Sequence, residues 1–500
     1  MVFAKKHCPG FLIICLMILC LALESKAADQ DIFSIYPLEV EGEIHGYVSA
    51  DINGNHLSDI VIVYSPADDH STRYAGLFLQ IDKAGFNLRP DYLIRLPQTA
   101  VQIDAGDVDD DGIDEILLVD ADGVVVMNYN SGIGLSQPVR LIRRETIYSL
   151  PIFQGIINEP FLFEINSSSG PEIIIPTPKG YAIFERGDEG SYGILNQLEA
   201  AINCQRQGKG LKEFAGQISP VFTVGLARVN TGDCNLDGRK DLYFLWDKKA
   251  CCFIQDNTGN YSQTPDVELN FFNDDPSGYT QSWLGDFNND GRPDIAVSHT
   301  SGGMTNAETY LRFYLCNSDG RPGSSFNKEI RLSDSHCNLM INDYNRDNRP
   351  ELIVPALELG SIAATKMFLL KKADLHLLIY SVAGGLPVDE PTARKKFEFR
   401  FNFDHPQPTR EVAVNWEKDI NGDNLLDMVY SDGNGHLRFY WGNVDDFLSK
   451  KPDLEISLDH PEKIMSVQLN SGTRSDLIIE HNLTGKVDRL TVLKNRGNGI

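Results

Sequence analysis

Short apolar runs recur along this chain, and each follows at once on a polar stretch rich in Asp, Asn and Gly. The clear copies read "DINGNHLSDIVIV" from Asp51, "DVDDDGIDEILLV" from Asp107, "DCNLDGRKDLYFL" from Asp233, "DFNNDGRPDIAV" from Asp286, "DYNRDNRPELIV" from Asp343 and "DINGDNLLDMVY" from Asp419. Two degenerate copies, "EINSSSGPEIII" from Glu164 and "QLNSGTRSDLII" from Gln468, keep the closing carboxylates Glu172 and Asp476 and the apolar run behind them. The starts lie 49 to 76 residues apart, most of them near 57, which is the signature of a tandem repeat with insertions.

Each unit continues beyond its first apolar run. A second β-type run follows a turn ("AGLFLQI", "GVVVMNY", "GYAIFER", "LRFYLCN", "LRFYWGN"), then a third ("DYLIRL", "KEIRLSD", "LEISLDH"). A fourth, such as "AVQIDAGD", leads into the next polar loop. Four short strands per unit, separated by Gly, Asn and Asp turns, predict an all-β protein, a β-propeller of four-stranded blades. Eight units predict eight blades, with seven and one aberrant repeat as the alternative. The last unit stops one strand short, at "RLTVLKN", and "DIFSIYPLEVEG" near the N-terminus is the strand that would complete it. Ring closure of that kind removes unpaired sheet edges.

The polar loops offer oxygen atoms at positions 1, 3, 5 and 9, with Gly at position 6 in the strongest copies. Hard divalent cations need such an oxygen-rich turn, although an EF-hand closes at position 12 on a helix and these loops close on a strand. The D-x-[DN]-x-[DN]-G-x-x-[DE] loop with its following strand, repeated at this period, resembles the FG-GAP/VCBS repeat family, to which the integrin alpha-chain propeller belongs. The resemblance covers nearly all of residues 31–500. It implies several structural Ca2+ ions held between the first two strands of a blade. The side chains so implied are Asp107, Asp109, Asp111 and Glu115; Asp233, Asn235, Asp237 and Asp241; and Asp286, Asn288, Asp290 and Asp294. Three further sets carry His56, Asn348 or Asn424 in place of the position-6 Gly: Asp51, Asn53, Asn55 and Asp59; Asp343, Asn345, Asp347 and Glu351; and Asp419, Asn421, Asp423 and Asp427. Asn is the better substitute where the backbone turns left-handed. The loops at Glu164 and Gln468 offer fewer charges and are expected to hold their turns by hydrogen bonds alone.

A formal charge of −25 excludes nucleic acid as the expected partner, since that demands basic surface. The N-terminal "MVFAKKHCPGFLIICLMILCLALESKAADQ" has a basic start, an apolar run from Phe11 to Leu23 and small residues at Ser25 and Ala27. It reads as a signal peptide over residues 1–27 and places the mature chain, without a transmembrane segment, outside the cytoplasm, either secreted or periplasmic. Three cysteines leave with it. The remaining six (Cys204, Cys234, Cys251, Cys252, Cys316 and Cys337) fit no zinc spacing and stand open between disulfides and buried thiols.

No nucleophile elbow, phosphate loop, paired-histidine metal motif or dinucleotide fingerprint occurs, so no catalytic residues are assigned. Insertions at about 191–220, with the basic island "QRQGKGLK", and at about 356–396, with a helix expected around Ile362 to Lys371, are places where a propeller carries recognition. Trp283, Trp416 and Trp441 are the aromatic candidates for contact. The expected function is a calcium-stabilised propeller over residues 31–500 that binds a protein or a surface glycan. The alternative is a carbohydrate-active enzyme resembling the polysaccharide lyases built on calcium propellers.

Overall fold

The apolar run that follows each polar loop becomes the second strand of a blade, and it is buried on both faces. Asp59–Pro66, Glu115–Asp120, Glu172–Thr177, Asp241–Leu245 and Glu351–Glu358 show almost no exposed position. A strand covered by a neighbouring sheet on each side has no polar face to present, which is why these runs do not alternate. The outer strands do alternate. Tyr92–Arg95, Val267–Asn270 and Lys328–Ser333 bury every second or third residue and turn charged side chains to solvent.

A computed structural model describes residues 32–497 except 70, 83–84, 150–154, 167–169, 208–220, 273–274, 276–277, 345–348, 401–413, 416–417, 432–434, 459–460 and 483–486. The segment 1–27, much of the insertion before residue 220, Asn345, Asp347, Asn348 and Trp416 therefore lie outside the described residues.

Eight four-stranded antiparallel blades follow one another along the chain. From the inner strand outward, blade 1 is Gly42–Ala50, Asp59–Pro66, Tyr74–Phe78 and Tyr92–Arg95, and blade 2 is Gln102–Gly106, Glu115–Asp120, Gly123–Met127 and Val139–Arg143. Blade 3 runs from Leu162–Phe163 to Tyr192–Leu198, blade 4 from Arg228–Gly232 to Val267–Asn270 and blade 5 from Tyr279–Gly285 to Lys328–Ser333. Blade 6 has its inner edge in two pieces, Ser335–Cys337 and Met340–Asn342, both paired with Glu351–Glu358. Blade 7 runs from Val414–Asn415 to Leu454–Ser457.

Blade 8 is assembled from both ends of the chain. Pro461–Val467, Asp476–Asn482 and Val487–Asn495 supply three strands, and Phe33–Glu39 adds the outer one, in register from Phe33 opposite Asn495 to Glu39 opposite Arg489. Each blade packs on the next through its own apolar cluster. Val61, Leu77, Ile103 and Leu118 join blades 1 and 2, and Leu242, Phe244, Ile174 and Ile183 join blades 3 and 4. The ring closes where Leu38, Ile478 and Val492 of blade 8 meet Ile44, Ile60 and Ile62 of blade 1.

Two insertions depart from this plan. The stretch after blade 3 forms a two-stranded ribbon, Asn203–Gln207 with Val221–Gly225. In blade 6 a helix, Ser361–Leu370, bridges the second and third strands. Gly360 precedes it at φ 99° and Lys371 ends it at φ 54°. The expected end at Lys371 is thus the left-handed residue that terminates the helix. No helix among the described residues is long and apolar enough to cross a membrane.

Leu38 is fully buried in the cluster that closes the ring. Leu38→Ala is expected to lower unfolding free energy by about 2 to 5 kcal/mol, the cost of a cavity in a close-packed core. Denaturant melts of the two proteins check this.

Candidate functional site

In each clear loop that is described throughout, the first carboxylate folds the loop around itself. In blade 2, Asp107 accepts hydrogen bonds from the Asp111 and Gly112 amides at 3.2 and 2.8 Å. Asp51 does the same for Asn55 and His56, Asp233 for Asp237 and Gly238, and Asp286 for Asp290 and Gly291. Asp419 takes the amides of Gly422 and Asn424. The fifth residue then accepts from the seventh amide, as in Asp111 with Ile113, Asp290 with Arg292 and Asp423 with Leu425, at 2.8 to 2.9 Å. This winding needs left-handed backbone at two positions. Position 6 supplies it in His56 (φ 64°), Gly112, Gly238, Gly291 and Asn424 (φ 65°), and position 4 in Gly54, Asp110, Leu236, Asn289 and Gly422.

The closing carboxylate at position 9 does a different job. It is buried in every repeat: Asp59, Glu172, Asp241, Asp294, Asp427 and Asp476 are fully enclosed, and Glu115 and Glu351 nearly so. One of its oxygens accepts the position-2 amide of its own loop, as from Val108 to Glu115, Cys234 to Asp241, Phe287 to Asp294 and Ile420 to Asp427. The other oxygen accepts an amide at the end of the third strand or just beyond it: Gln80 to Asp59, Gln255 to Asp241, Cys316 to Asp294, Gly442 to Asp427 and Asn495 to Asp476, at 2.6 to 2.9 Å. In blade 2 the Asn128 carboxamide takes that place on Glu115, at 3.3 Å.

Loops of neighbouring blades also bond to each other. The Asp114 amide donates to the Asp51 carbonyl while its carboxylate accepts the Asp51 amide, and the Ser475 amide donates to the Asp419 carbonyl. The Ser58 amide closes the series by donating a hydrogen bond to the Leu469 carbonyl of blade 8.

Burial governs the titration of these closing groups. Removal from water pushes Asp59, Glu115, Asp294 and Asp427 up to about 7, Asp241 to about 8 and Asp476 to about 6, against the donated amides that pull the other way. Burial and the neighbouring Asp111 and Asp107 also raise Asp109.

The loops differ in how well they would fit a divalent cation. Asp107, Asp109 and Glu115 each place a carboxylate oxygen within 4.8 Å of the others, the arrangement a hard cation requires. Asp111 sits beside them on the same turn. Elsewhere the third residue is turned onto its neighbours: the Asn53 amide donates to both Asp59 oxygens, Asn288 to Asp290 and Asn421 to Asp423. Asn235 accepts the Asp237 amide, and Arg239 forms an ion pair with the Asp237 carboxylate. In blade 1, Asn55 spends its side-chain amide on the Gln80 carbonyl. Of the Asp343 set, Asp343 and the buried Glu351 are described. In the degenerate loops, Glu172 and Asp476 make the same clamps to Ile165 and Leu469, and Gln468 replaces the first carboxylate by donating to the carbonyls of Asn470 and Gly472.

A cavity of about 740 Å³ lies between the inner strands of blades 4 to 7. Its lining combines four carboxamides (Gln281, Asn338, Asn342 and Asn415), two cations (Arg228 and Lys418) and the half-buried Trp283. Asp286 is its one carboxylate, already occupied by two loop amides. Gln281 donates to the Tyr279 hydroxyl, while its Oε1 is buried with no hydrogen-bond partner. Of the aromatic sequence candidates that are described, Trp283 lines this cavity. Trp441 packs on Phe439 in the core between blades 7 and 8. The other lining residues come from four blades and share no motif, so no local signal marks them.

Residues 233–297, from the loop of blade 4 through the second strand of blade 5, match the family described as FG-GAP-like repeat. The chain carries an FG-GAP-like repeat. The other loops described above share the winding of the loops within that segment. No curated protein matches the sequence. Similar solved structures include an Agrocybe aegerita lectin recognising non-reducing terminal N-acetylglucosamine, at 14% identity over 73% of this chain and 90% of that one, with a TM-score of 0.40. Sqt1 from Chaetomium thermophilum is similar at 10% identity over 93% and 100% of the two chains, TM-score 0.46. The V. cholerae biofilm matrix protein Bap1 is similar at 12% identity over 91% and 77%, TM-score 0.30. At such identities and scores none of them bears on function.

The raised closing carboxylates carry a pH dependence with a definite sign. Their folded-state values lie above the ordinary carboxylate value, so the stability they contribute is full below about pH 4 and is lost as pH rises through about 6 to 8. In chelator, the melting temperature is expected to fall between about pH 5 and about pH 8. A melt independent of pH over that range would contradict the assignment.

Proposed function

We propose that this FG-GAP-repeat propeller is an exported, calcium-stabilised binding module whose ligand is a glycan held in the cavity between blades 4 and 7. The single observation that carries the reading is the lining of that cavity. Carboxamides donate and accept in one group, which suits the paired lone pairs and protons of sugar hydroxyls. Gln281 Oε1, buried and unpartnered, is an acceptor for such a donor. Trp283 supplies an apolar face with a polar rim, and Arg228 and Lys418 suit acidic substituents on a sugar.

Calcium enters the proposal through the loop at Asp107, where the carboxylates of Asp107, Asp109 and Glu115 converge and Asp111 adds a further oxygen. There the ion would neutralise like charges and hold the turn between the first two strands. The remaining loops would need their third side chain to rotate its oxygen inward, which predicts weaker sites. Export is supported by the basic, then apolar, N-terminal segment.

Retention on a panel of acidic and neutral polysaccharides tests the glycan reading. Trp283→Ala and Gln281→Ala are each expected to weaken binding by about tenfold, the loss of one aromatic face or one buried hydrogen bond. Unsaturated sugar products absorbing in the ultraviolet would replace binding by lyase chemistry, and unchanged retention by both variants would move the site elsewhere.

Calcium is expected to raise the melting temperature and EDTA to lower it, with Asp109→Asn reducing the difference. Identical melts in both conditions would remove the metal from the proposal.

A further inference from the structure

Three cysteines far apart in sequence meet at one point between blades 4 and 5. Cys234 is the second residue of the blade 4 loop, Cys252 lies in that blade's third strand, and Cys316 follows the third strand of blade 5. All three are buried free thiols in the apolar cluster that joins the two blades. The Cys234 thiol lies within hydrogen-bonding reach of both the Cys252 and the Cys316 thiols. It also donates to Asp241 at 2.7 Å. The fully buried Tyr243 hydroxyl faces the same point. The eight position-2 residues otherwise run Ile52, Val108, Ile165, Phe287, Tyr344, Ile420 and Leu469, all apolar packing groups, so a thiol here is a departure from the repeat.

We propose that Cys234 and Cys316 form a disulfide that staples blade 4 to blade 5. Cys252 is the less suitable partner. Its backbone is fixed on both sides in the ladder, opposite Tyr243 and Val267. Cys316 lies beyond its strand, in an isolated bridge with Pro322, and its sulfur is 3.6 Å from the Cys234 carbonyl oxygen. Arg292 of the adjoining blade 5 loop grips that same carbonyl at 2.6 Å. A disulfide requires the two Cβ atoms about 3.5 to 4.5 Å apart and a torsion near 90°; the Cys316 amide is held on Asp294, so its side chain turns to meet Cys234 while Cys252 has ladder partners on both sides.

The oxidant is a low-molecular-weight disulfide, R–S–S–R. One cysteine thiolate attacks it to give a mixed disulfide and release R–SH, and the second thiolate displaces the other R–SH. One S–S bond forms in the protein, one breaks in the oxidant, and the two cysteine protons leave on the two R–SH molecules. Cys234 is 0% and Cys316 6% exposed, so the exchange belongs to folding, before the two blades close on each other. Cys252 then remains as a thiol beside the bond.

The full chain is refolded with a glutathione thiol–disulfide pair, free thiols are alkylated, and the protein is digested without reduction for peptide mapping. The expected result is the Cys234 peptide joined to the Cys316 peptide, with a higher melting temperature than protein refolded in reductant. Cys316→Ala is expected to abolish that oxidant-dependent rise, and Cys337→Ala, which alters a buried thiol between blades 5 and 6, to keep it. Recovery of Cys234 as an alkylated free thiol, or its linkage to Cys252, overturns the proposal. The wild-type map decides the matter even where Cys316→Ala fails to fold.

Discussion

A buried carboxylate that accepts two or more backbone amides is the interaction on which the rest of this propeller depends. An enclosed carboxylate without partners would be among the costliest groups to place in a protein interior. In blades 1, 4, 5, 7 and 8 it is held by donors from two sides, the loop before it and the end of the third strand or the connection after it, as Asp294 takes Phe287 and Cys316. Removing the carboxylate would leave those amides unsatisfied in turn. In these five blades the clamp ties the first, second and third strands into one unit, and it closes the degenerate loop of blade 8 as it closes the clear ones.

The first carboxylate is dispensable in a way the last is not. Gln468 stands in for it by donating to carbonyls, and the loop of blade 8 still closes on Asp476. This division explains why the blade 8 copy keeps its carboxylate at position 9 and loses the one at position 1. It also explains how a ring can carry loops of unequal cation affinity without losing its shape: the shape rests on the clamp and on the apolar clusters between blades, and a cation would act only on the turn above them.

Much of the fold was legible because the physics is local. The apolar strand after each loop, the four strands of a unit, the repeat number and the completion of blade 8 by Phe33–Glu39 all follow from recurring short patterns. The left-handed residue at position 4 was not legible. Gly54, Asp110, Leu236, Asn289 and Gly422 have no side-chain chemistry in common, and the conformation is imposed by the first carboxylate drawing in the amides that follow. Leu236 accepts it at a steric cost on the order of 1 kcal/mol. The blade 6 helix was visible as an apolar stretch, but its end at Lys371 depends on the turn back into the third strand.

What the sequence alone determined is the unit: four strands, a polar loop, a closing carboxylate, and a count of eight that its two ends complete together. What only the tertiary structure decided is everything made between units. Gln281, Asn338, Asn415 and Arg228 share a cavity, and Cys234 and Cys316 meet, because ring closure brings successive blades face to face. Residues on different blades meet at distances set by blade packing, not by sequence spacing, and one chain read alone contains no record of those distances.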